Sequence, residues 1–133
     1  MSNPYFRELL ASFVISGVAL AVFALSMSAG PATAQSVAID SDDIGGVVTG
    51  ANGPEAGVWV IAETRDLGTR YIKAVVTDDR GRYVLPDLPK ANYDVWVRGY
   101  GLVDSPKMRS GPGRTMNLTA VTAPNDATAA QYY

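Results

Sequence analysis

Asp78-Asp79-Arg80-Gly81 places two adjacent carboxylates ahead of a glycine, a run that could hold a cation. A calcium loop needs several oxygens converging on one point, as in D-x-D-x-D-G with a glutamate further on. Here Arg80 is inserted and no glutamate follows in register. The other reading is a tight turn. The Asp78 carboxylate accepts hydrogen bonds from amides two residues on, and Gly81 takes a positive φ that closes a hairpin. That reading asks less of the sequence, so Asp78 and Gly81 are assigned as structural turn residues. A second group, Tyr100, Ser105, Lys107 and Ser110, lies in one loop. Ser-Lys pairs can act as nucleophile and base. This pair has no third group to orient it, and solvated loop residues are the simpler account.

The chain contains no histidine and no cysteine. It therefore lacks the commonest general base and metal ligand, and it can form no thiolate nucleophile, thiolate metal site or disulfide. A non-catalytic protein without a cofactor or metal is expected. Lysine and arginine together number 11 and the acidic residues 13, for a net charge of −2. That balance offers no basic footprint for nucleic acid and no polybasic patch for anionic membranes.

The segments that must position these residues read as strands. IGGVVT (44–49) precedes a turn cluster containing Asn52-Gly53-Pro54. VWVIAE (58–63), YIKAVVT (71–77), RYVL (82–85) and YDVWVR (93–98) follow, each ended by loop or turn residues. After the long loop GYGLVDSPKMRSGPG comes RTMNLTAV (114–121) as the last strand. Short β-rich runs with breakers every eight to twelve residues suggest a β-sandwich, and no segment keeps a helical period. Asn117-Leu118-Thr119 is a glycosylation sequon, but it falls inside a predicted strand and carries no weight.

The flanks differ from this body. Residues 13–25, FVISGVALAVFAL, are uncharged and apolar, shorter than the ~20 residues of a membrane span. Ala32-Thr33-Ala34 then offers the small residues a signal peptidase needs, ahead of Gln35. Residues 1–34 are read as a helical signal segment, removed on export to the periplasm or the extracellular space and leaving no stable membrane span. Residues 35–43 form an acidic lead-in and residues 44–121 the sandwich. Residues 122–133 have the composition of a linker until the final tyrosine pair. That ending leads to the expectation of an N-terminal module of a larger or truncated exported protein.

Gly46-x-Val48, then Gly53-Pro54-x-Ala56-Gly57-x-x-Val60, then Thr77-Asp78-x-x-Gly81-x-Tyr83, Leu85, Leu88-Pro89, Tyr93-x-Val95-x-Val97 and Gly99-Tyr100 follow one another in order. This succession resembles a carboxypeptidase regulatory-like domain across residues 44 to 121. The resemblance implies an all-β, seven-stranded antiparallel transthyretin-like (prealbumin-like) sandwich, of a kind often grouped with carbohydrate-binding-like folds. It also implies an accessory domain attached to something else. The family's turn usually has glycine before the second aromatic, and this chain has Ala91. Asn92 is therefore expected to take the left-handed position.

Strand alternation gives the surface. If Val58, Val60 and Ala62 face the core, Trp59 and Ile61 face out. If Tyr93, Val95 and Val97 face the core, Trp96 and Arg98 face out with Asp94. Long side chains from a neighbouring strand could partly cover the two tryptophans. Left uncovered, Trp59, Ile61, Trp96 and Arg98 make a candidate docking surface, because exposed tryptophan is enriched at recognition sites. The expected function is that of an exported accessory module docking a protein partner or a neighbouring domain. The alternative is a carbohydrate-binding module using the outward tryptophans.

Overall fold

In the computed structural model of the chain, residues 36–132 are described. The signal segment, its Ala32-Thr33-Ala34 pattern, Gln35 and Tyr133 lie outside the described residues.

β-branched and aromatic residues in alternation form the first sheet. β3 (Trp59–Thr64) lies between β4 (Tyr71–Val76) and β6 (Tyr93–Arg98), and β8 (Met108–Ser110) flanks β6. All three ladders in this sheet are antiparallel. The second sheet is built on β1 (Ile44–Gly50), paired antiparallel with β5 (Arg82–Leu85) and with β2 (Gly53–Pro54). β9 (Arg114–Thr115) and β10 (Leu118–Thr119) also join β1, and both run parallel to it. A small third ladder joins β7 (Leu102–Val103) to β11 (Val121–Thr122).

The core lies between the two large sheets. Ile44 and Val48 of β1 and Tyr83 and Leu85 of β5 meet Val60, Ala62, Tyr93, Val95 and Val97 from the first sheet. Val58, Leu88, Leu102, Met116, Leu118 and Ala120 complete it. Each fully buried aliphatic side chain here contributes about 1.5–3 kcal/mol relative to exposure. Tyr83 carries a hydroxyl into this layer, and that hydroxyl donates to the Met116 carbonyl at 2.6 Å. Burial pushes the Tyr83 pKa up, well above the usual tyrosine range.

Three details depart from the sequence reading. The expected seven antiparallel strands meet a more divided pattern, with two parallel ladders on β1. Residues 114–119 run beside β1 but are interrupted at Met116-Asn117, where the Asn117 side-chain oxygen accepts from the Val47 amide at 3.0 Å. Glycine at position 46 permits this approach, since a Cβ there would stand 1.9 Å from the Met116 oxygen. Next, the left-handed residue in the crossing after β5 is Asp87, with φ 52, and not Asn92. Asp43 holds that bend, its carboxylate accepting from the amides of Asp87 and Asp40. Finally, the tail expected as linker contains helix α1 (Asp126–Ala129) and a 3-10 turn at Ala130–Tyr132. Asn125 caps α1 by accepting from the Thr128 amide at 2.9 Å, and Ala129 is buried.

Candidate functional site

The Asp78 turn joins β4 to β5. Asp78 Oδ1 accepts from the amides of Arg80 and Arg82, both at 2.9 Å, while Oδ2 takes the Arg82 guanidinium at 2.7 Å. The Arg82 amide, first among these contacts, holds the Asp78 carboxyl below the usual carboxylate range. Gly81 has φ 72, and its amide closes the turn on the Asp78 carbonyl. Among the described residues, the strong contacts of the carboxylate thus run to its own turn. Among the described residues no group of three or more acidic side chains converges to hold a metal ion.

The Ser-Lys loop does not assemble a nucleophile. Ser105 is buried, and its Oγ accepts from the Val97 amide at 2.8 Å. Ser110 Oγ donates to the Gly111 carbonyl. Lys107 leaves both serines and sets its Nζ 4.3 Å from the centre of the Trp96 ring. The three groups serve strand ends and a ring face.

The outer face of the four-stranded sheet is the remaining candidate. Register puts Val76, Trp59 and Arg98 in one row across β4, β3 and β6. Ala74, Ile61 and Trp96 form the next row, and Ile72, Glu63, Asp94 and Arg109 the third. All four residues named from sequence therefore share this face, but they are not equally accessible. Trp59 is 48% exposed, whereas Ile61 and Trp96 are buried at 7% and 5%. The sequence reading of Ile61 and Trp96 as solvent-facing is corrected here. Lys107, entering from the loop before β8, lays a cation over the Trp96 ring, a contact favoured by the ring quadrupole. The Trp96 indole nitrogen is buried without a hydrogen-bond partner among the described residues. Arg98 is half-buried and tied to Asp104 by two hydrogen bonds of 2.8 and 2.7 Å. That pairing raises the Arg98 pKa.

The face is thus split. Its β6 half is covered by Lys107 and by the Arg98–Asp104 pair. Its β4 half is open and apolar: Val76 is 56% exposed and Ile72 46%, with exposed Ala74 between them and Trp59 alongside. Trp59, Ala74, Val75 and Val76 line a shallow depression there. A second hollow, bordered by Glu63, Asp66, Asp94 and Arg109, is charged, but its groups are largely engaged with one another or with nearby residues. Glu63 binds Arg70, Asp94 binds Arg109, and Asp66 accepts from the Asn92 amide. Ile72, Ala74 and Val76 were missed from sequence, although strict alternation in YIKAVV would have placed them on one side.

No protein-family model matches the chain, and no curated protein matches it. Solved structures do. A streptococcal ancillary pilin is similar over 65% of this chain and 31% of its own length, with 13% identity and a TM-score of 0.50. The fold is a β-sandwich. The chain spans about a third of that pilin, and identity this low speaks to the fold alone. A candidate carbohydrate-binding protein from Pseudomonas aeruginosa overlaps 65% of this chain and 92% of its own, with 16% identity and a TM-score of 0.39. That second superposition is too loose to carry an argument about the sandwich. Among the described residues no helix is long and apolar enough to cross a membrane.

Proposed function

We propose that this protein is an exported, non-catalytic accessory module of the carboxypeptidase regulatory-like kind, and that it docks a protein partner through the open half of its outer sheet face. One observation carries the reading: Trp59, Ile72, Ala74 and Val76 are contiguous, apolar and exposed on adjacent strands of one sheet. Exposed apolar patches of this kind mark interaction sites, and tryptophan supplies a large share of binding energy at such sites. The covered half beside it, pinned by Lys107 and by Arg98–Asp104, provides a preformed polar rim. Export rests on the apolar run at 13–25 and the Ala32-Thr33-Ala34 pattern, with the signal segment at 1–34 and the sandwich at 44–121. The absence of histidine and cysteine argues against catalysis.

A photo-reactive residue at position 59, introduced in exporting cells, tests this. The expected result is a discrete protein adduct from position 59 and from position 76, and none from Arg114, exposed on the second sheet. Equal, diffuse labelling at all three positions would contradict it.

The half-exposed indole of Trp59 also favours a second reading, stacking on a sugar ring. Glycan-array binding that Trp59→Ala abolishes, with no protein adduct at position 59, would favour that reading over the first.

A further inference from the structure

Asn52 is the only asparagine in the chain that a glycine follows. It lies at the tip of the β1–β2 hairpin, where Gly50 pairs with Gly53 and leaves Ala51 and Asn52 as the turn. Asn52 is exposed, and among the described residues its side chain makes no hydrogen bond or ion pair. Gly53 has φ 110, a conformation open to glycine, and nothing lies within 4 Å of where a side chain would begin. The other described asparagines are placed differently. Asn117 Oδ1 accepts from the Val47 amide at 3.0 Å, and Asn125 Oδ1 accepts from the Thr128 amide at 2.9 Å. Asn92 precedes Tyr93, a buried residue of β6 whose ring encumbers the next amide.

We propose that Asn52 is a site of spontaneous deamidation through the Gly53 backbone nitrogen, and that the isoaspartate formed there unzips the tip of the hairpin. The Gly53 nitrogen gives its proton to hydroxide and attacks Asn52 Cγ. The new N–Cγ bond closes a succinimide ring, and Nδ2 takes a proton from water and leaves as ammonia. Water then opens the ring. Breaking the N–Cγ bond leaves aspartate. Breaking the bond from the Gly53 nitrogen to the Asn52 backbone carbonyl carbon leaves isoaspartate, with the chain now running through Cβ and Cγ. In sum, a side-chain amide and water become a carboxylate and ammonium, with no electron transfer. Little in the ladder prevents the attack. β2 is two residues long, and Pro54 has no N–H to donate, so opening the Gly50–Gly53 pair is enough to free the Gly53 amide.

Isoaspartate adds one atom to the backbone, so Gly50 and Gly53 lose their register. The damage has a boundary. The Glu55 amide donates to the Val48 carbonyl at 2.9 Å, close to the lengthened turn. Beyond it, buried Thr77 clamps the chain: its Oγ1 donates to the Glu55 carbonyl at 2.6 Å and accepts from the Val58 amide at 3.1 Å. The Glu55 amide is therefore loosened, while Val58 and β3 keep their places. The inference is independent of the docking reading.

Ageing the purified full-length protein tests it, in native buffer and in urea, followed by digestion and mass spectrometry. The peptide holding Asn52 should gain the mass of an amide-to-acid exchange in the native protein, at a rate comparable to that in urea and rising with hydroxide. Peptides holding Asn117 and Asn125 should stay unchanged in the native protein over the same time. Fragmentation should identify isoaspartate at position 52. In the aged protein hydrogen exchange should quicken at the Glu55 amide and keep its rate at the Val58 amide, and Asn52→Gln should show neither the mass gain nor the faster exchange. Conversion of Asn52 in urea but not in the native protein, or native conversion no faster than at Asn117 and Asn125, would overturn the site. Conversion that leaves Glu55 exchange unaltered would overturn the unzipping.

Discussion

Lys107 holds its ammonium 4.3 Å from the centre of the Trp96 ring, while Trp59, on the adjacent strand of the same face, stays 48% exposed. The two tryptophans belong to one surface and have different employment. One is fixed under a cation, and the other is half open to solvent.

The Trp96 site should tolerate loss of the indole nitrogen better than loss of the ring. Its buried N–H has no partner among the described residues, so Trp96→Phe gives up contact area but also relieves a desolvated donor. The expected change in unfolding free energy is within about 1 kcal/mol, against about 3–5 kcal/mol for Trp96→Ala. Chemical denaturation measures both. Lys107→Ala should shift part of the tryptophan fluorescence to the red by uncovering the ring.

The turn between β4 and β5 should be structural. Gly81→Val forces a β-branched residue to φ 72 and sets a Cβ 2.5 Å from the Val48 carbonyl oxygen. A loss of about 2–4 kcal/mol is expected. Asp78→Ala should lower Tm, and calcium should leave the wild-type Tm unchanged. The Asp78 pKa is depressed in the fold, chiefly by the Arg82 amide. Its contribution is therefore present above the unfolded value of about 3.9 and lost as pH falls through the folded pKa. Asp78→Asn should flatten that acid limb; a calcium-dependent rise in Tm that Asp78→Ala removes would speak for a cation site.

Much of this was legible because it is local. YDVWVR and VWVIAE alternate cleanly, so the inward set Val60, Ala62, Val95 and Val97 and the outward set Trp59 and Arg98 could be read from period alone. The rest depends on segments far apart in sequence. Whether Trp96 is open depends on where a loop drops Lys107, eleven positions later. Residues 114–119 lie parallel to β1 because the chain re-enters that sheet from the same end, which strand propensity does not encode. The Asp87 bend is held by Asp43 from the acidic lead-in, at a separation of 44 residues. The α1 turn was missed because four residues are too few to show a helical period, although Asn125 three positions before Thr128 is a capping signal.

The alkaline side should be governed in part by Tyr83. Burial raises its pKa in the fold, so its contribution is whole below about pH 10 and is lost as pH rises toward the folded value. Stability should fall above that pH, and Tyr83→Phe should reduce the slope. At neutral pH the same substitution should cost about 1–2 kcal/mol, because the Met116 carbonyl loses its donor. Denaturation curves across pH for both proteins test the two statements together.

The C-terminal segment should protect amides. Asn125→Ala removes the acceptor for the Thr128 amide and should cost about 1 kcal/mol locally. Hydrogen exchange at Thr128 and Ala129 should quicken, while β3 and β6 exchange as before. Exchange already at the free-chain rate in the wild type would return this segment to the status of a linker.

The central claim is that the open half of the outer face is occupied when the protein is at work. Hydroxyl-radical footprinting tests it most directly, performed once on purified, diluted chain and once in intact exporting cells. Tyr100, 95% exposed, serves as an internal reference. The account predicts that Trp59, Ile72 and Val76 oxidise readily in the dilute protein and are shielded in cells, while Tyr100 oxidises equally in both. Equal oxidation of Trp59 in the two settings would mean the face stays bare, and the docking account would fail.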